Sequence, residues 1–249
     1  MNRISAVRTN IGRNKASLAT YQVLGHNPFV QADLSSEGLF LARNEQGVDS
    51  VVEYLSNIRI QSAEDIEKLP NDQVENILNK IAEIVVRKEN FGQMFNGINA
   101  VVEEMDDLRM KILARLGARK LRIPVLMASD MGDTILLDIE RFDQEPERQI
   151  FHGLVNPEIL LKAIAFPSPE SFASVATAIT GREYMPDDFV KALSKIGKSL
   201  ISPPQLASTI ACAAGIITKR LREITLGQLE GSWRELYNFA EFEFQRLQL

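Results

Sequence analysis

The stretch INAVVEEMDDLRMKILARLGARKLRIPVLMAS, residues 98–129, decides the fold class of this chain. Its first part, residues 98–104, is rich in β-branched residues and predicts a strand. Apolar residues then recur at helical spacing, which predicts a helix over residues 107–121. The buried stripe of that helix comprises Leu108, Ile112, Leu113 and Leu116. The nearly continuous apolar run 123–128 is typical of a strand covered on both faces. The stretch therefore predicts a right-handed β–α–β unit.

Further elements are predicted on both sides of this unit. Apolar periodicity and breaker residues predict helices over 12–24 and 73–88 and strands over 29–33 and 134–140. The alternation of helix and strand indicates an α/β fold, which we expect to be an incomplete Rossmann-like parallel sheet with helices. From about residue 155 the patterns are short, helical and punctuated by proline. We therefore predict an α/β region at 1–154 and a mainly helical C-terminal region at 155–249.

Composition excludes several classes of function. The net charge is −5, whereas a general nucleic-acid-binding protein is usually basic. The single cysteine, Cys212, allows no intrachain disulfide and no thiolate zinc site, and its apolar surroundings predict a buried side chain. The longest apolar stretch, residues 206–218, is too short for an ordinary membrane span. We expect a cytoplasmic protein that binds neither nucleic acid nor a membrane.

Acidic residues follow the first strand of the β–α–β unit. Glu103, Glu104, Asp106 and Asp107 lie between that strand and the helix. In open α/β sheets ligands bind beyond the carboxyl ends of the strands, where a carboxylate can coordinate Mg²⁺ and so hold phosphate oxygens. The alternative is structural, because carboxylates at this position cap the free N–H groups of a helix.

The N-terminal segment carries basic residues ahead of a helix. Arg3, Arg8 and Lys15 have the charge needed to neutralise phosphate groups, but a solvated basic face explains them equally. No P-loop motif occurs in the chain. Neither His26 nor His152 forms a recognisable pair with another residue in the sequence, so both are expected at helix ends or in loops.

The segments VVEEMDDLRMK (101–111) and RIPVLMASDMGDTILLDIERFDQEPERQIFHGL (122–154) resemble the ThiF/MoeB/HesA family, bacterial relatives of ubiquitin-activating enzymes. In that family an acidic residue ends a strand, and an Asp that contacts Mg·ATP follows shortly before a helix. Glu103 and Asp106 match these two positions. The family also has an Asn-Arg motif followed by Gly-x-x-Lys at the start of a helix, which Asn2, Arg3 and Lys15 match. Ile4 departs from the usual Gln.

The resemblance implies an ATP-dependent adenylyltransferase that activates a carboxylate, such as the C-terminus of a ubiquitin-like or sulfur-carrier protein. On this basis Asn2, Arg3, Lys15 and Asp106 would bind the cofactor ATP. Arg3, Lys15 and Asp106 would act in catalysis, and Asp106 would hold Mg²⁺. The family also implies a homodimer. The resemblance covers residues 1–154, which would form a partial ThiF-like nucleotide-binding domain. Residues 155–249 would form a helical extension.

One departure concerns the glycine loop. In the family a GxGxxG turn precedes Asn-Arg, and that turn lets the backbone approach the phosphates. Because the sequence begins within the Asn-Arg motif, we expect it to hold half of a nucleotide site. The alternatives are a truncated sequence, a start at an internal Met, or a first half supplied by another polypeptide. The paired CxxC motifs of MoeB and ThiF are absent from the sequence. The alternatives are a non-catalytic remnant or interaction module with a ThiF-like fold, and a partner-binding helical domain at 155–249.

Overall fold

The structure is a computed structural model that describes residues 15–26, 37–196, 198–200 and 205–248. The helices in these residues are α1 (Lys15–His26), α2 (Glu37–Asn57), α3 (Ala63–Glu67), α4 (Asn71–Val85), α5 (Leu108–Leu121), α6 (Pro157–Ala165), α7 (Pro169–Thr180), α8 (Asp187–Leu193) and α9 (Ala207–Thr225). The strands are β1 (Val101–Val102), β2 (Val125–Met131), β3 (Thr134–Glu140), β4 (Trp233–Asn238) and β5 (Glu243–Leu247).

Within the described residues the five strands form one mixed sheet in the order β1-β2-β3-β4-β5. The α/β class is therefore confirmed. The expectation of a parallel sheet holds only for β1 and β2, because every later pair is antiparallel. The reason is local: β2 and β3 are joined by the two-residue turn Gly132-Asp133, and Gly132 has a φ of +69°. A turn this short returns the chain antiparallel, whereas a parallel connection needs a crossover.

The β–α–β unit has the predicted order. Helix α5 begins one residue after the predicted start, and β2 extends three residues beyond the predicted end. Strand β1 is much shorter than predicted. All members of the predicted stripe of α5 are buried: Leu108, Ile112, Leu113 and Leu116. The helix ends at Arg122, whose φ of 57° is left-handed, and Ile123 N donates to Ala118 O over 2.9 Å. This cap turns the chain directly into β2.

Helix α4 confirms the amphipathic helix predicted for 73–88, although it begins at Asn71 and ends at Val85. It packs against α5 at Gly117. A Cβ atom at Gly117 would lie 2.8 Å from the Phe95 ring and 2.9 Å from Val85 Cγ1. The close approach of the two helices therefore requires glycine at this position.

The C-terminal region is helical through α6 to α9 but ends in strands. Strands β4 and β5 lie within 155–249, and β4 pairs with β3. The sheet thus takes strands from both sides of residue 154, which the mainly helical expectation did not include. Cys212 on α9 is exposed, so the prediction that it is buried was wrong. No helix in the described part of the chain has the length and apolar character to cross a bilayer.

Helices cover both faces of the sheet. On the α9 face, apolar side chains of β2 and β3 pack with Ala213 and Ile217. On the α5 face, the core includes Val125, Met127 and the helices α4, α5 and α6. Because side chains alternate along a strand, Leu136, Asp138 and Glu140 of β3 share the α5 face.

The N-terminal elements are described in part. Helix α1 begins at Lys15 and confirms most of the helix predicted for 12–24. The strand predicted at 29–33 lies outside the described residues. Helix α2 occupies a region for which the sequence made no clear prediction, and its Val51 and Leu55 join the core.

Candidate functional site

The acidic loop, residues 103–107, connects β1 to α5 at the carboxyl end of the parallel strand pair. In open α/β sheets this is the edge at which ligands bind. Backbone pairing fixes its start, because Glu103 N donates to Leu126 O over 2.9 Å. The alternation of β1 then directs Glu103 toward the α5 face and Glu104 toward the α9 face.

The buried side chain of Glu103 fixes the start of the acidic loop. Its buried carboxylate pairs with Lys111 Nζ at 2.9 Å and with the guanidinium of Arg115, and it also accepts from Met105 N at 2.7 Å. Burial alone would raise the pKa of Glu103, but the charges of Arg115 and Lys111 outweigh burial and lower it. Glu103 is therefore an ionised structural group, although the family resemblance places it at a site position.

Two carboxylates on the α9 side have raised pKa values. Glu104 is exposed as a whole residue, but its Oε1 lies against the sheet and accepts from Ala128 N at 3.1 Å, and loss of water around this carboxyl raises its pKa to about 7. Burial also raises the pKa of Asp130, and the nearby charge of Asp106 adds to the effect. Raised pKa values in neighbouring carboxyls are common at functional sites. Loss of water is the main cause in both cases, so these two carboxyls hold a proton more readily than exposed carboxyls do.

Asp106 and Asp107 have different roles at the start of α5. Asp107 is the helix cap, and its Oδ1 accepts from Met110 N at 2.8 Å. Asp106 is exposed and precedes the cap. The structural alternative raised for the acidic pair is thus realised by Asp107, and Asp106 is the exposed carboxylate at the position that the resemblance assigns to Mg·ATP.

The predicted site residues of the N-terminal segment lie outside or at the limit of the described residues. Asn2 and Arg3 lie outside the described residues. Lys15 is the first residue of α1, and only its backbone is described. Asp106 is consequently the one predicted site residue whose side chain belongs to the described part of the chain.

The described residues contain no group of three or more His, Cys, Asp or Glu side chains arranged to hold a metal ion. This bears on how Asp106 would bind Mg²⁺. Magnesium at nucleotide sites is usually bound by one or two carboxylates, water and the phosphates, without a cage built wholly from protein. An exposed carboxylate such as that of Asp106 fits this mode of binding.

Sequence reasoning missed the importance of Arg115. Its side chain is fully buried, with Nε 2.8 Å from Glu140 Oε2 and the guanidinium 4.2 Å from the centre of the Phe151 ring. Arg115 thus joins Glu103, under the acidic loop, to the end of β3. A signal was available, because Leu108, Ile112 and Arg115 follow i, i+4, i+7 spacing on the buried side of α5.

His152 lies in the short 3₁₀ segment Ile150–Gly153, as expected for a helix end or loop, but the structure gives it partners that the sequence did not indicate. Its side chain is buried, with Nε2 3.3 Å from Asp138 Oδ1, and Nδ1 accepts from Arg148 Nε at 3.4 Å. Nε2 has no hydrogen bond of good geometry, so its contact with Asp138 is mainly electrostatic. Phe151 and His152 have φ values of 52° and 56°, a left-handed conformation that only surrounding structure can maintain.

We expect the pH dependence of stability to report the environment of Glu104. Its folded-state pKa of about 7 lies above the ordinary value of 4.5. The folded protein therefore binds this proton more tightly than the unfolded chain, and the stabilisation is complete below the ordinary pKa. It is lost as the pH rises through the folded pKa.

Glu104→Gln should therefore flatten the fall in the free energy of unfolding between pH 4.5 and pH 7, measured by urea titration. Glu83→Gln is the control, because the pKa of the exposed Glu83 is lowered by Lys80. A carboxyl resonance of Glu104 that titrates near its ordinary value in NMR would contradict the assignment.

A curated relative matches nearly the whole chain. The uncharacterized protein MT1398 of Mycobacterium tuberculosis (strain CDC 1551 / Oshkosh) is 27% identical over 229 residues, which are 92% of this chain and 25% of that protein. The chain thus spans about a quarter of the length of the relative it matches. No family model and no solved structure matches the chain.

Proposed function

We propose that this chain belongs to a ThiF-like, ATP-dependent adenylyltransferase whose acidic loop lies at the nucleotide phosphates. The observation that carries the proposal is the position of Asp106. It is an exposed carboxylate at the carboxyl end of a parallel strand pair, and the neighbouring Asp107 already caps α5. The resemblance places at this position the Asp that contacts Mg·ATP in the family.

The proposed reaction joins a substrate carboxylate to the adenylyl group. A carboxylate oxygen attacks the α-phosphorus of ATP, the bond to the leaving pyrophosphate breaks, and an acyl adenylate forms. Such phosphorus chemistry depends on positioning and on neutralising charge more than on an acid–base pair. Asn2, Arg3 and Lys15 would bind the phosphates, and Asp106 would bind Mg²⁺. When bound, Mg²⁺ supplies positive charge to the phosphate oxygens.

Buried ion pairs and a helix cap fix the two ends of the acidic loop. Lys111 and Arg115 pair with Glu103 beneath the loop, which fixes the point at which the chain leaves β1. Asp107 fixes the other end through its cap on α5. A loop held at both ends presents Asp106 with little loss of conformational entropy on ligand binding. This supports a binding role for Asp106.

The proposed substrate is the C-terminal carboxylate of a ubiquitin-like or sulfur-carrier protein, and the proposed assembly is a homodimer in the cytoplasm. The substrate and the assembly follow from the resemblance of residues 101–111 and 122–154 to the family. The same resemblance supports a Rossmann-like arrangement of β1, α5 and β2. The parallel pairing of β1 and β2 is consistent with that arrangement.

A second candidate function is a protein-interaction module that keeps the fold without binding nucleotide. The carboxyl groups at the acidic loop favour this second function. Asp106 and Asp130 lie near each other, since the charge of Asp106 contributes to the raised pKa of Asp130, and Glu104 is a third carboxyl at this edge. A polyphosphate would be repelled there unless a cation accompanied it. The two functions therefore differ in their dependence on Mg²⁺.

Asp106→Asn in the full-length protein should weaken the binding of Mg·ATP by at least about tenfold, because the variant loses the carboxylate that holds the metal. Isothermal titration calorimetry would measure this, with and without Mg²⁺. Stability should change by less than about 1 kcal/mol, because Asn retains the size of Asp at an exposed position.

Asp107→Asn is the matched control, since it removes the same charge one residue away and keeps the capping ability. It should bind Mg·ATP nearly as the natural protein does. Equal losses in both variants would show that only general charge matters. Absence of Mg·ATP binding by the natural protein would favour the interaction module.

A further inference from the structure

A cavity of about 560 Å³ opens on the α5 face of the sheet, beside the turn between β2 and β3. We call it the acidic cavity. Its floor includes Thr134, Leu236 and Asn238, and its wall includes Tyr184 and Phe189. The volume lies in the range of small-molecule sites.

The acidic cavity is separate from the acidic loop. Asp130 shares the α9 face with Leu126 and Ala128, because side chains alternate along β2. Thr134 pairs with Met131, which packs on the opposite face with Leu136. The sheet therefore lies between the carboxylates of the proposed nucleotide site and this cavity.

The charge of the acidic cavity is of one sign. Its lining includes the carboxylates Asp133, Glu183, Asp188 and Glu241, and no Lys, Arg or His among the described residues lines it. Asp188 pairs with Lys191 at 2.9 Å, and Glu241 accepts from Asn238. Asp133 and Glu183 form no ion pair with any residue that the structure describes.

The floor and wall of the cavity combine apolar side chains with the hydroxyl of Thr134 and the amide of Asn238. Tyr184, Met185 and Phe189 pack near Leu236 and form its aromatic and aliphatic wall. Thr134 in the floor is only 3% exposed, and its hydroxyl has no hydrogen-bond partner among the described residues. The hydroxyl is not cut off from solvent, so it is open to the cavity, where a ligand can accept or donate a hydrogen bond.

We propose that the acidic cavity binds a small organic ammonium ion with an aliphatic body. Asp133 and Glu183 would balance the positive charge, and the wall of Tyr184 and Phe189 would contact the alkyl chain and, through the ring faces, the cation. The hydroxyl of Thr134 would accept from an ammonium N–H. A neutral molecule of the same shape would lose the charge contacts, and an anion would be repelled.

The test uses 1,5-diaminopentane, pentylamine and 1-pentanol as probes, with binding to the full chain measured by isothermal titration calorimetry. Both amines should bind, and the alcohol should bind at least about tenfold more weakly, since it has the same chain without the charge. Nα-acetyl-lysine amide tests whether the source of the ammonium group is a free amine or a lysine side chain. If pentylamine and Nα-acetyl-lysine amide compete for binding, they share one site.

Glu183→Gln should weaken amine binding about fivefold, the scale expected for one charge pair at a partly exposed site. Thr134→Val, which keeps the shape and deletes the hydroxyl, should weaken amine binding less and leave the weak binding of 1-pentanol unchanged. Asp187→Asn is the matched control, because Asp187 begins α8 but does not line the cavity.

Equal binding of 1-pentanol and pentylamine would overturn the proposal, as would amine binding that is unchanged in both Glu183→Gln and Thr134→Val. Equal weakening by Glu183→Gln and Asp187→Asn would also overturn it, because the effect would then come from net charge alone. Circular dichroism confirms that each variant is folded before binding is interpreted.

Discussion

Replacing Arg115 with methionine should lower the free energy of unfolding by about 3–5 kcal/mol, the cost of leaving buried charges without their partner. Arg115 is fully buried between Glu103 and Glu140, with Nε 2.8 Å from Glu140 Oε2. Glu140 Oε1 has no hydrogen-bond partner among the described residues, so loss of Arg115 would remove the ion pair of this carboxylate. Equilibrium urea unfolding at neutral pH would measure the change.

Lys120→Met is the matched control on the same helix. Its ammonium group is exposed and lies 3.5 Å from the equally exposed Glu83, so the variant should change stability by less than about 1 kcal/mol. Adding Glu103→Gln and Glu140→Gln to Arg115→Met should recover part of the loss, because the uncompensated charges are then gone. A loss in Arg115→Met no larger than that in Lys120→Met would show that water reaches this network.

Replacing Asp138 with alanine should also destabilise the protein by about 3–5 kcal/mol. Asp138 is buried, its Oδ1 accepts from Arg234 Nε at 2.6 Å, and His152 Nε2 lies 3.3 Å away. The variant would leave Arg234 buried with the carbonyl of Ile179 as its remaining partner in the described residues. The same unfolding measurement applies, with Asp188→Ala as the exposed control, whose carboxylate pairs with Lys191.

The loss in Asp138→Ala should depend on pH. Burial alone would raise the pKa of Asp138, but His152 and Arg234 outweigh it and hold the pKa below the ordinary value of 3.8. The stabilisation is therefore fully present above the ordinary pKa and is lost as the pH falls through the folded pKa. The difference between the natural protein and the variant should shrink in acid. A difference that grows in acid would contradict an ionised Asp138.

The ion pairs of Arg115 and of Asp138 connect segments that are far apart in the sequence. Arg115 joins α5 to β3, and Arg234 joins β4 to Asp138 of β3 and to the end of α7. A binding defect in an Arg115 variant would therefore reflect displacement of the acidic loop through Glu103. Asp106→Asn tests the loop without disturbing these buried contacts, which is why it is the variant chosen for the proposed function.

The sequence by itself determined the β–α–β unit. Apolar spacing, the capping carboxylate and the continuous apolar run act over a few residues, so helix α5 and strand β2 were predicted close to their observed bounds. It also indicated that the acidic residues lie at a strand end. The expectation that Asp106 contacts Mg·ATP comes from the resemblance and stays a prediction, and Asn2 and Arg3 lie outside the described residues.

Only the tertiary structure decided which charges are paired and which strands are neighbours. Arg115 meets Glu140 across 25 residues, and Arg234 meets Asp138 across 96, distances in sequence at which no local pattern carries information. The pairing of β3 with β4 likewise depends on long-range contacts, whereas the antiparallel return of β3 follows from the local turn Gly132-Asp133. His152 reaches Asp138 because the surrounding core imposes a left-handed turn on it, a conformation that local propensity disfavours.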